Sequence, residues 1–229
     1  TIGCGTNPSK NENVKETLPA LVVNGTQLMN TEGDTVVLHG VSYGWHQFWP
    51  RFYNASSVAY LVNDWGAQVL RASMGVDLDS ACYVNKPEFG VEVIKTIRAI
   101  EPDAVILVGC PHWDQDIHLA ADDPITGYSN IMYTLHFYAN THGQWLRDRA
   151  DYALGKGLPI FVSECAGMEA SGDGPISKEE WGNWLEWMQR HSISWVAWSL
   201  SDKDETCSML YPSASSEGNW KDADMKEWG

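Results

Sequence analysis

Six short apolar runs separated by amphipathic stretches constrain the fold of this chain more than any other feature of its sequence. The runs at 36–42, 68–73, 104–109, 131–138, 158–163 and 194–199 read as strands, and the stretches at 56–65, 91–100, 143–155 and 178–191 as helices. The last helix opens on acids and closes on Arg190 and His191, as its dipole prefers. A probable hairpin, ALVVNGTQLMN, precedes the alternation. Repeated βα units imply a parallel sheet. The expected fold class is therefore α/β, a (β/α) barrel of TIM type with about six βα units in this chain. Strands of such a barrel are covered on both sides and should be apolar or small until their carboxyl ends. Arg71, His136, Tyr138, Glu164 and Trp198 break that rule in the last turns of strands or just beyond, on the face where barrel enzymes keep their chemistry.

Composition narrows the partners. A formal net charge of −15 with no basic cluster argues against nucleic acid and against an anionic membrane surface. No apolar run reaches the ~18 residues of a membrane span, and no export signal stands at the start, so an exported chain would have lost it already. Twelve Trp and nine Tyr supply flat faces of the kind that stack on sugars, although any one of them is as readily core. Five cysteines are scattered without metal-ligand spacing, so neither a disulfide framework, a metal site nor a cofactor is implied. Residues 1–17 are polar and read as a tail or linker, leaving 18–229 as the barrel domain.

Glu164 closes the dry run Leu158–Ser163, and a carboxylate there needs donors to stay ionised; Arg71 and Tyr138 come from strand ends able to supply them. A structural ion pair with Arg71 is the bland alternative. In IMYTLHFY, period two puts Met132, Thr134, His136 and Tyr138 on one side, which should face the barrel interior. His136 is then either a carboxylate- or sugar-orienting group or a satisfied buried histidine, with His142 a weaker candidate. Trp198 is the best stacking platform, with Trp113 and Trp49 behind it, and Lys203, Asp204 and Glu205 form a polar loop after the last strand.

LHFYANTHGQWLRDRADYALGKGLPIFVSE, WVAWSLSDKDE and VGCPHWDQDIHLAADDP resemble the corresponding stretches of bacterial endoglucanases of glycoside hydrolase family five, and the resemblance runs from about residue 18 to the end. It implies an eight-stranded barrel and retaining hydrolysis of β-1,4-glucan outside the cell. On it, Glu164 matches the nucleophile, Arg71, His136 and Tyr138 its supporting residues, and Trp198 the wall of the cleaving subsite. Trp113 and Gln115 resemble leaving-group contacts, and Lys203 and Glu205 contacts along the glycone side; Trp49 and His46 complete the candidate substrate-binding residues. Where many relatives carry a His near the first strand, this chain has Gly44, with His46 two positions on.

One absence stands out against the resemblance. The family's Asn-Glu-Pro, whose Glu is the general acid/base, and its Asp-Trp-His have no counterpart. NKPEFG runs directly into VEVIKTIRAIEPD at Gly90-Val91, as though two βα units, ~60 residues of the ~250 in a full barrel, were missing. Asp77, Asp79 and Glu88 are substitute carboxylates. The expected partner is a β-glucan polysaccharide or oligosaccharide. An open barrel would also expose strand edges able to pair with a second copy. A binding remnant that keeps the aromatic subsites but not the chemistry, and a related β-mannanase, are the rival readings.

Overall fold

The computed structural model describes residues 20–74 and 87–229. The tail expected at 1–17, and Asp77 and Asp79, lie outside them, as does the side chain of Glu88. A hairpin of β1 (Leu21–Asn24) and β2 (Gln27–Asn30) leads the described chain. The strands that follow are β3 (His39–Tyr43), β4 (Val69–Arg71), β5 (Ile106–Val108), β6 (Ile131–Tyr138), β7 (Ile160–Ala166) and β8 (Trp195–Leu200). The helices are α1 (Ala55–Asn63), α2 (Pro87–Ile100), α3 (Pro111–Asp114), α4 (Ile117–Asp122), α5 (Gln144–Gly155) and α6 (Lys178–Arg190). The short α3 and α4 had no periodicity long enough to announce them.

Strands β3 to β8 form one parallel sheet in the order β4-β3-β8-β7-β6-β5. First and last strands, β3 and β8, are neighbours, which is the closing contact of a barrel. The sheet is a curled half-barrel whose outer strands are β4 and β5. The chain runs between those two through α2, so the Gly90-Val91 seam falls inside a helix and strand direction is preserved across it. Gly40 lets β3 and β4 approach: a Cβ there would stand 1.7 Å from the Val69 carbonyl oxygen.

Side-chain alternation along β6 divides two layers. Ile131, Tyr133, Leu135 and Phe137 pack outward with Ile117, Leu146 and Trp184 of the helices, and Phe137 stacks on Trp184 with ring centroids 3.9 Å apart. Met132 points the other way, into a floor made with Phe161, Val196 and Leu28 of the hairpin. The hairpin thereby plugs the amino-terminal end of the sheet and leaves the opposite end open for polar groups. Helix ends follow local rules: Asn54 accepts from Ser57 N at α1, and Ser177 accepts from Glu180 N at α6.

Candidate active site

Backbone register sets the level of each polar strand-end residue. Ser42 on β3 pairs with Arg71 on one side and with Trp198 on the other, and His136 pairs with Glu164 across β6 and β7. The five residues expected at the mouth therefore stand at one end of one sheet. Glu164 does not end its strand, as the run of apolar residues suggested. β7 continues to Ala166, because register shifts against both neighbours let Cys165 and Ala166 pair with Phe137 and Tyr138.

Both carboxylate oxygens of Glu164 accept hydrogen bonds. Arg71 Nη1 donates to Oε2 at 2.8 Å, and the Tyr138 hydroxyl donates to Oε1 at 2.9 Å. Arg71 is itself placed by contact with the Ser42 hydroxyl at 3.4 Å and by lying over the Trp198 ring, 5.4 Å from its centroid. Burial, then the charge of Glu164, drives the Tyr138 phenol far above its ordinary pKa, so it remains a donor. His136 Nε2 lies 2.7 Å from the Ser163 hydroxyl and 3.3 Å from Asp114 Oδ2. Burial lowers the pKa of His136, opposed by the carboxylates of Glu164 and Asp114.

Beside Glu164 opens a cleft of about 220 Å³, walled by Tyr138, Trp198, Trp45, Trp49, Lys203 and Glu205. Trp45 and Trp198 meet edge to face at 6.1 Å, and Lys203 and Glu205 are ion-paired. A Cβ on Gly44 would come within 3.0 Å of both Trp49 and Ser201, so the bare backbone there is what lets the Trp49 ring sit in the wall. The peptide between Trp198 and Ser199 is cis.

Other expected residues lie apart from this wall. His46 is half-buried in the loop after β3, its backbone N–H donating to Ser73. Trp113, 77% exposed, and Gln115 follow β5 at the same end of the sheet but are not among the residues lining the cleft. Sequence reasoning missed Trp45, Ser42, Ser163 and Asp114. Trp45 sits one residue past Gly44 in a string already under suspicion and was legible in principle; a strand serine or a loop aspartate carries no local signal of what it faces.

Proteins similar to this chain are found among the cellulases. A family model described as cellulase (glycosyl hydrolase family 5) matches residues 88–204. An endoglucanase of Clostridium saccharobutylicum is 31% identical over 283 residues, covering 91% of this chain and 63% of the relative. That alignment is longer than the 229-residue chain, so the relative carries stretches with no counterpart here. A solved structure from Cytophaga hutchinsonii superposes with a TM-score of 0.85 at 32% identity, covering 92% of each chain. A β-mannanase from Thermomonospora fusca, at TM-score 0.59 and 16% identity, shares the fold alone. The chain spans only 63% and 57% of the length of two curated endoglucanase relatives, under two thirds.

Proposed function

The chain belongs to the cellulases of glycosyl hydrolase family 5, and from that membership and the geometry of its site we propose that it acts on β-1,4-linked glucan with Glu164 as nucleophile. The observation that carries the reading is the pair of donors on Glu164, one from each oxygen's side, at the wall of an aromatic cleft. A carboxylate attacks an anomeric carbon only as the anion, and charge-assisted hydrogen bonds stabilise the anion and hold it in one orientation. Arg71 and Tyr138 do both. Trp198, Trp45 and Trp49 offer faces for glucose rings, and Lys203 and Glu205 offer a donor and an acceptor for their hydroxyls. Attack by Glu164 yields a covalent glycosyl-enzyme and, after water replaces the enzyme, retention at the anomeric centre. A polymeric glucan places this work outside the cell.

The test uses 2,4-dinitrophenyl β-cellobioside, whose leaving group departs without a proton. A pre-steady-state burst of dinitrophenolate is expected, together with a cellobiosyl adduct on the peptide carrying Glu164. Glu164→Gln abolishes both while cellotetraose still binds by calorimetry. An undiminished burst in that variant overturns the assignment.

A further inference from the structure

A retaining glycosidase uses two carboxyl groups, the second to give a proton to the departing oxygen and later to take one from water. The strands beside Glu164 carry different groups. Going outward from β7, β8 carries Trp198 and leads to Lys203 and Glu205, which wall the cleft together with Tyr138 at the end of β6; β5 lies beyond β6 on the far side. The turn that follows β5 brings one carboxylate back toward the nucleophile. It is Asp114, whose Oδ2 lies 3.3 Å from Nε2 of His136, itself the register partner of Glu164.

How Asp114 is held sets it apart from the other surface acids. His112, Trp113 and Asp114 are three consecutive non-glycine residues in the left-handed region, at φ of 57°, 52° and 62°. That conformation is unfavourable for residues with a Cβ, and such strain persists where surrounding contacts enforce it, often at active sites. Here backbone hydrogen bonds from Asp114, Gln115 and Asp116 N–H close the turn, and the Asp114 carboxylate adds to them, its Oδ1 accepting from the Cys110 N–H. The strained turn thus aims Oδ2 at His136 and leaves the side chain only 16% exposed. Asp114 stands between Trp113 and Gln115 in the turn after β5, and none of the three is among the residues lining the cleft.

We propose that Asp114, paired with His136, is the proton-transfer group of this site. The inference rests on Glu164 being the nucleophile. In the first step an oxygen of Glu164 bonds to the anomeric carbon. The bond from that carbon to the glycosidic oxygen breaks with its electron pair on the oxygen, which receives the proton held by the Asp114–His136 pair. In the second step water gives a proton to the pair, its oxygen bonds to the anomeric carbon, and Glu164 leaves with its electron pair. Atoms and charge balance with no further reactant.

The experiment compares the unaltered chain, Asp114→Asn and Asp114→Glu on 2,4-dinitrophenyl and phenyl β-cellobioside, each with and without azide. Asparagine keeps an oxygen to accept from Cys110 N, which favours retention of the turn, and thermal unfolding of each variant checks it. Asp114→Asn is expected to keep the dinitrophenolate burst, lose about 10²-fold in steady-state turnover, and recover with azide as β-cellobiosyl azide forms. On phenyl cellobioside, which needs the proton in the first step, the loss is as large and azide does not restore it. Asp114→Glu recovers part of the turnover unaided, and the unaltered chain is indifferent to azide. Equal azide acceleration and equal leaving-group dependence in the unaltered chain and Asp114→Asn overturn the role of Asp114. Absence of any burst in the unaltered chain overturns the nucleophile reading instead, and this inference with it.

Discussion

Glu164 shows how much of a carboxylate's character is lent by its neighbours. Its chain supplies a carboxylate on a strand; Arg71, 93 residues away, and Tyr138, 26 residues away, supply the donors. Tyr138 is the cleaner probe of the two, because burial and the Glu164 charge keep its phenol protonated across the workable pH range. A hydrogen bond to a charged group is worth about 1.5–3 kcal/mol. Tyr138→Phe should therefore slow the dinitrophenyl cellobioside burst by about 10- to 100-fold while its phenyl ring preserves the packing. A burst rate equal to that of the unaltered chain would show that Arg71 alone suffices. Trp198 is tied to the same group through the Arg71 guanidinium above its ring, so cleft wall and Glu164 carboxylate are positioned together.

At the scale of elements, the segment between β6 and α5 locks the mouth to the outer core. His142 Nδ1 accepts from Tyr138 N at 2.8 Å, and the His142 carbonyl accepts from Trp184 Nε1 at 2.6 Å. An acceptor nitrogen cannot carry a proton, and burial, with a smaller contribution from His112, pushes the His142 pKa down to about 4 from 6.5. The sign follows from linkage. Above pH 6.5 both folded and unfolded chains hold His142 neutral and its contribution is intact; as pH falls toward about 4 the unfolded chain takes the proton first, and stability is lost. His142→Asn, which retains an acceptor without titrating, should flatten the pH dependence of the urea midpoint in that window. Parallel curves for the two proteins would remove His142 as a cause. Asp114 belongs to this scale too, since an isolated aspartate acquires a direction only from the left-handed turn that α3 makes after β5.

For the whole molecule the consequential feature is the open sheet. Among the described residues β5 pairs only with β6, and Leu107 on it is 39% exposed. An unpaired parallel edge with an exposed apolar residue is a template for a second chain. Sedimentation should show concentration-dependent association that Leu107→Lys weakens; a monomer at all concentrations in the unaltered chain would mean the edge is covered within one molecule. The six strands and the four long helices were legible in the sequence, because apolar periodicity reports on each segment's own burial and needs no partner. β6 was bounded at 131–138 as observed, and its alternation assigned both faces correctly. α3 and α4 were not legible, being too short to carry a period. The residue types of the site were legible as polar interruptions at strand ends, Glu164 among them. What only the tertiary structure decided is which groups meet: the β3–β8 closure, the continuation of β7 past Glu164, Ser42 under Arg71, Trp45 across from Trp198, and Asp114 against His136. Burial pattern is a local property written residue by residue, whereas the register between strands and the direction of a strained turn arise from contacts between segments far apart in the chain, and no window along the sequence contains them.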